Sequence, residues 1–189
     1  RGEQTVERKP LPKAPGSDQA PMEVVVTAVA TKTEEDPFEV PAMAEAYDRK
    51  QLDRLGFSNF ADAFKETPGV FVQKTGQGQG SPFIRGFTGY RNLLMIDGIR
   101  FNNSAFRSGP NQYWATIDPL FVDRVDVLRG SGSNLYGSDA VGGVVNVRTK
   151  SPGTWGEGLE WGGEAYSRIA LAEQARVAHL EFEGSYKDK

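Results

Sequence analysis

Between residues 37 and 150 the sequence predicts an α+β fold, and three observations carry that expectation. Two short helical stretches come first, Asp48–Leu55 and Ser58–Glu66, the second with Ser58 as N-cap and an apolar stripe of Phe60, Ala63 and Phe64. Runs with strand character follow, at Val70-Phe71-Val72-Gln73, Asp123–Leu128 and Val144-Val145-Asn146-Val147-Arg148. Finally, Asp97-Gly98 splits the apolar segment Leu93–Arg100. An Asp-Gly pair in that setting marks a hairpin, because glycine accepts the positive φ of a type I′ turn.

The connections are as informative as the elements. Thr67-Pro68-Gly69 ends the second helix, and a Gly-rich loop, Gly76 to Gly80, leads to Ile84-Arg85-Gly86-Phe87. Residues 101–114 form a long loop carrying Phe101, Asn102, Asn103, Phe106, Arg107, Asn111, Tyr113 and Trp114. Loops of that length are functional or disordered, and the aromatic content argues against disorder. Gly130 to Gly143 is a tight Gly/Ser connection around Leu135-Tyr136-Gly137.

The two ends differ from this middle. Residues 1–21 are polar, with Pro10, Pro12, Pro15 and Pro21, and are expected to be an extended, solvated linker. Arg1, with neither an initiator Met nor a signal core, leads to the expectation of a processed or cut N-terminus. Met22–Ala28 is a short β-branched run, set off from the rest by the charged stretch Lys32 to Asp36. It fits a first strand of the domain or a detachable strand awaiting a partner. In the tail, Ala178, Leu180, Phe182 and Tyr186 alternate with His179, Glu181, Glu183 and Lys187; Gly163, Ala165 and Ile169 alternate with Glu164, Tyr166 and Arg168. Such a hairpin has one apolar and one polar face. A soluble sheet would turn the apolar face to a core, whereas a membrane barrel would turn it to lipid and line its lumen with charge. Periodicity leaves both open, although the glutamates suit a wet lumen better.

Composition removes several classes of function. A formal net charge of -3 gives no basic footprint for nucleic acid. No segment approaches the ~20 apolar residues of a spanning helix. Without Cys and with His179 as its one histidine, the chain lacks the usual zinc ligands. There is no G-x-S-x-G elbow to pair with His179, which reads as a lumen or surface residue. Gly76-Gln77-Gly78-Gln79-Gly80 fits neither G-x-G-x-x-G nor the P-loop pattern, so turn chemistry explains it better. No catalytic, metal or cofactor site is expected, and the chain is not read as an enzyme.

Taken in order, Thr67-Pro68-Gly69-Val70, Ile84-Arg85-Gly86-Phe87, Ile96-Asp97-Gly98-Ile99-Arg100, Val125-Asp126-Val127-Leu128-Arg129-Gly130, Leu135-Tyr136-Gly137-Ser138 and Gly142-Gly143-Val144-Val145-Asn146-Val147 resemble the plug of a TonB-dependent outer-membrane receptor. The run Glu23, Val24, Val25, Val26, Thr27 and Ala28 is similar to the TonB box. The resemblance implies four parts: a periplasmic linker at 1–21, TonB box and leash at 22–36, plug at 37–150, and the first strands of the barrel at 151–189. The implied fold is a small mixed β-sheet with short helices, followed by the first β-hairpin of a transmembrane β-barrel of about 22 strands.

The implied function is gated import of a metal chelate (iron–siderophore, haem or cobalamin type), energised by TonB and its inner-membrane complex. The plug would sit in the barrel in the outer membrane of a Gram-negative-type bacterium, its N-terminus in the periplasm. Residues 29–36 would give a leash of about 25–30 Å when extended. Arg85 and Arg129 resemble latch arginines paired with barrel-wall glutamates, with Glu164, Glu181 and Glu183 as candidate partners; the bland alternative is a solvated turn arginine. Substrate is expected at Gly76–Pro82, Thr88–Arg91 and Phe101–Trp114, where Tyr90, Phe101, Asn102, Phe106, Arg107, Tyr113 and Trp114 either face the ligand or anchor their own loop. Phe83 and Phe87 share that ambiguity. A signalling receptor of the same architecture, or a soluble α+β binding module with a buried Ala178/Leu180/Phe182 face, are the alternative readings. Deleting residues 151–189 separates the last of these: a plug stays soluble, whereas a self-contained α+β domain loses part of its core and precipitates.

Overall fold

The computed structural model describes residues 43–187 except 58, 77, 111, 152–157 and 172–173. The expected linker, TonB box and leash, and the Ser58 cap, lie outside the described residues. The core of the fold is a five-stranded mixed sheet of order β1-β6-β7-β4-β5. Its strands are β1 (Met43–Tyr47), β4 (Asn92–Ile96), β5 (Ile99–Arg100), β6 (Val122–Arg129) and β7 (Gly143–Thr149). The pairs β1–β6, β6–β7 and β4–β5 are antiparallel, and β4–β7 is parallel. A separate hairpin joins β2 (Val70–Gly76) to β3 (Gln79–Ile84), and another joins β8 (Gly158–Ala170) to β9 (Ala175–Lys187).

Alternation along the central strands sends apolar side chains to both faces. Leu94, Val125, Val127, Val145 and Val147 point to one face, where Leu52, Phe60, Ala61, Ala63, Phe64, Ile84 and Trp114 cover them. By strict alternation Val122 would join Arg124 on the other face. A register shift between the two returns it to the main core. Leu93, Met95, Leu128 and Val144 face the opposite side under Ala140 and Tyr136. There the apolar patch gives way to Asp126, which is fully buried and paired with Arg124 at 2.8 Å and Arg148 at 3.5 Å.

Local signals account for most elements. Helix α1 (Arg49–Leu55) starts at a capping box, the Asp48 carboxylate accepting from Gln51 N while the Gln51 side chain accepts from Asp48 N, and stops at Gly56 in the left-handed region. The Asp97-Gly98 turn has φ of 50° and 79°, as expected of type I′, and the Asp97 carboxylate is bound by the backbone and hydroxyl of Thr149.

One expectation needs correction and another is sharpened. The stretch Ser58–Glu66 forms only a 3₁₀ turn, Phe60–Phe64, capped by Asn59. Its stripe is nonetheless buried, because it packs edge-on and stacked against Trp114. The Gly-rich loop at Gly76–Gly80 is the tight end of the β2–β3 hairpin, and strand β1 and most of β3 had no sequence expectation.

The β8–β9 hairpin settles which way its faces turn. Leu159, Trp161, Ile169, Leu180, Phe182 and Tyr186 are all at least 69% exposed. The half-buried positions include Tyr166, Arg168, Val177, His179, Glu181 and Glu183, and on that face Arg168 reaches Gly56, His179 meets Phe121 and Glu181 meets Lys150. A soluble module with a buried Ala178/Leu180/Phe182 face is therefore contradicted. No helix among the described residues is long and apolar enough to cross a membrane, which says nothing of a β-barrel.

Trp114 is 1% exposed and stacked 6.4 Å from Phe60. Trp114→Ala should lower unfolding free energy by about 3–5 kcal/mol in urea titration; a loss below ~1 kcal/mol would contradict its place in the core.

Candidate functional site

Arg129 ends β6, where its cross-strand partner is Met43. Its guanidinium reaches across to Glu45 at 2.6 Å and also donates to the Pro68 carbonyl. Glu45 accepts a second bond, at 2.7 Å, from the Tyr47 hydroxyl, which lies 2.7 Å from the hydroxyl of buried Thr67. Burial pushes the Tyr47 phenol well above its usual range, and Glu45 adds to this against the opposing Thr67 hydrogen bond. The phenol therefore stays neutral and donates. This network clasps the first strand to the sheet and to the Thr67-Pro68-Gly69 turn.

Arg85 occupies the first corner of a two-residue turn in which Ile84 and Phe87 exchange backbone bonds at 2.9 and 3.0 Å. Its φ is 50°, followed by Gly86 at 82°. A long side chain in the left-handed region costs roughly 1–2 kcal/mol. In return the turn lays its guanidinium over Gly130, 3.2 Å from where a Cβ would stand, with one nitrogen 3.1 Å from the Met43 sulfur. Arg85 has no carboxylate partner among the described residues. The two arginines thus share one rim of the sheet.

The expected wall partners go elsewhere. Glu164 and Glu181 converge on Lys150, at 2.8 and 3.1 Å, and none of Glu164, Glu181 and Glu183 meets Arg85 or Arg129. Burial alone would lower the Lys150 pKa, but the two carboxylates together hold it above the usual lysine range. Around this contact His179 lies 3.3 Å from Glu181 and edge-on to Phe121, and Arg168 donates to the Gly56 carbonyl at 3.0 Å. Lys150 follows β7 directly, so the mooring sits at the far end of the plug chain from β1. The sequence signal for it was present, since Lys150 is the last charge before the tail, but nothing local singled it out.

The expected substrate residues separate into two groups. Trp114, Phe106 and Asn102 are buried, although Phe106 and Asn102 still reach the lining of a hollow beside the loop. Trp114 belongs to the core; Phe106 stacks on Tyr113 at 4.3 Å and meets Phe101 edge-on. Asn102 continues the β4 ladder with its side chain, accepting from Leu94 N and donating to the carbonyls of Asn92 and Tyr90. Phe101 packs against the main core. Tyr113 bonds the Ala105 carbonyl through its hydroxyl. Only Tyr90, with Arg91 over its ring, and Arg107 remain exposed. The loop is therefore built by its aromatics instead of presenting them. Two polar hollows flank it: one with Gln73, Thr75, Gln79, Ser81, Arg107 and Gln112 in its lining, the other with Tyr90, Arg100, Asn102, Asn103, Phe106 and Asp139.

Residues 36–144 match the model of the TonB-dependent receptor plug domain. The chain belongs to that family. The chain is 37% identical over 131 residues, 68% of its length, to the vitamin B12 transporter BtuB of Vibrio vulnificus (strain CMCP6). The chain spans about a fifth of the length of that relative. Its fold is similar to the ferripyoverdine receptor of the outer membrane of Pseudomonas aeruginosa, at 28% identity and TM-score 0.58 over 74% of this chain and 18% of that one. It is also similar to the copper transporter OprC, at 24% identity and TM-score 0.59 over 76% and 21%, which speaks for the fold alone. The family is one of receptors and transporters, not of enzymes.

If the Glu45–Arg129 clasp contributes to the plug, Glu45→Gln and Arg129→Met will be non-additive. A double-mutant cycle should give a coupling of about 0.5–3 kcal/mol, while strict additivity would mean that the contact is incidental.

Proposed function

We propose that this chain supplies the plug, TonB box, leash and opening wall strands of a TonB-energised importer of a metal chelate in the outer membrane. The observation that carries this reading is the β8–β9 hairpin. Its large apolar side chains face away from the protein, and its polar face closes on the plug through Lys150. An isolated sheet would have little reason to expose Trp161 and Phe182 while turning its partly covered Glu181 toward Lys150; a wall strand between lipid and lumen has every reason to. The relatives add support from their names, a vitamin B12 transporter and a ferripyoverdine receptor.

In this reading Glu23–Ala28 joins a TonB sheet as an added strand, and backbone hydrogen bonds carry the pull. Tension then travels down residues 29–36 and arrives at β1, whose Met43 end pairs with Arg129. The strand is an edge, joined to the sheet through β6 alone, so it can leave without breaking the β6–β7 or β4–β7 ladders. Loss of the Glu45 contact strips Arg129 of its only carboxylate among the described residues. Arg129 thus acts as a latch inside the plug, and Arg85 stays available to a wall residue on later barrel strands. The Lys150 mooring holds the opposite end meanwhile. A cargo of the iron–siderophore, haem or cobalamin type meets the outward loops before this release.

The test is Val25→Pro in the full-length receptor, which removes an amide donor from the added strand. Cells carrying it should bind ligand as before and lose energised uptake. Uptake at the normal rate would overturn the proposal.

A further inference from the structure

The two hollows beside the 101–112 loop differ in one chemical respect. In the second, Arg100 is fully engaged, donating to Asp139 at 2.9 Å and to the carbonyls of Ser138 and Tyr136. In the first, about 230 Å³ in volume, the side chains of Gln73, Arg107 and Gln112 have no hydrogen-bond or ion-pair partner among the described residues. Thr75 and Gln79 bond one another at 2.6 Å across the rim. Among the described residues no carboxylate lines this hollow, and Arg107 is the one charge there.

The hollow is also built rather than accidental. Gly80 seats β3 against the Phe60–Phe64 turn so closely that a Cβ there would stand 2.7 Å from that of Ala61. On the facing side Gly89, at φ 66°, lies under the carbonyls of Arg107, Ser108 and Gly109, which a Cβ would meet at 2.4–2.8 Å. Tyr90 N donates to the Arg107 carbonyl, and the Phe106–Tyr113 stack braces the segment just before and after. The backbone of both rims is thus fixed before any ligand arrives, and only the side-chain rotamers of its donors remain to be ordered on binding.

Resting on the importer reading above, the geometry points to this hollow as a subsite for an anionic, acceptor-rich group of the ligand, such as a carboxylate or hydroxycarboxylate. A guanidinium with two uncommitted primary amides and no competing acid offers charge-assisted donors and repels nothing negative. Its volume is below the ~300–1,000 Å³ that encloses a whole small-molecule ligand. It therefore takes one arm of the chelate, and the remainder lies against the wall. The aromatic residues that would have favoured a flat apolar face are spent on holding the loop.

Equilibrium binding to the purified full-length receptor tests this with three probes: a ferric hydroxycarboxylate chelate, a neutral ferric trihydroxamate, and cyanocobalamin. The hydroxycarboxylate chelate should bind about tenfold or more tighter than either neutral probe. Arg107→Ala should remove that advantage without changing binding of the neutral probes, Arg107→Lys should restore part of it, and rising salt should erode it. Equal or tighter binding of a neutral probe, or an anionic preference indifferent to Arg107→Ala, overturns the subsite and leaves the importer reading standing. Failure of all three probes to bind likewise overturns the subsite, while the importer reading stands or falls with the uptake of the Val25→Pro receptor.

Discussion

In the proposed release, the Glu45–Arg129 pair is the contact on which all the rest depends. It ties the first strand to the sheet at a rim, not in the centre, with side chains that are partly but not fully dry. An ion pair of this kind contributes little as a cohesive force, because desolvation offsets much of its Coulomb gain. Breaking it is another matter, since Arg129 already has one nitrogen without a partner and would lose its counter-charge. Such a contact holds shut under thermal motion and fails abruptly when one partner is drawn away. An apolar seam of the same area would resist more gradually.

The rest of the molecule keeps its strongest cohesion away from that rim. The β6–β7 and β4–β7 ladders run through the middle of the sheet with valine, leucine and methionine on both faces. Asp126 interrupts this interior, but it is tied to Arg124 and Arg148 and so stays paired. Beyond β7, Lys150 fastens the chain to two wall strands at once. One end of the plug is thus attached by an edge strand and the other by a lysine between two carboxylates. The asymmetry follows from chain order, since β1 is the first of the described strands and β7 is the last before the β8–β9 hairpin.

Much of this was legible in sequence, and the failures are instructive. Asp97-Gly98 announced its turn because the conformation is a property of the two residues themselves. The tail announced two faces by alternation, but not their direction, which depends on what surrounds the hairpin. Met43-Ala44-Glu45-Ala46-Tyr47 has weak strand propensity, and it is a strand only because small Ala44 and Ala46 fit beside Leu128 and Asp126. Gly78, Gly80 and Pro82 disguised β3 as a loop for the same reason, that tertiary pairing overrides local preference. Trp114, Phe106 and Asn102 looked like binding residues because they lie in a long polar loop. Trp114 is buried by Phe60 and Phe64, far away in sequence, while Asn102 and Phe106 are held by the β4 backbone and by the loop's own Phe101 and Tyr113, contacts that only the folded loop brings about. Likewise nothing near Arg129 names Glu45 as its partner, whereas the IRG and LRG contexts of Arg85 and Arg129 did mark both as unusual.

The order of release is the measurable core of the account. Single-molecule pulling from residue 22 of the full-length receptor, with the barrel held in a bilayer, reads it directly. The first rupture should free β1 alone, and Glu45→Gln should lower the force at which it occurs. A first rupture that removes the β6–β7 ladder in the same step, or one indifferent to Glu45, would contradict it.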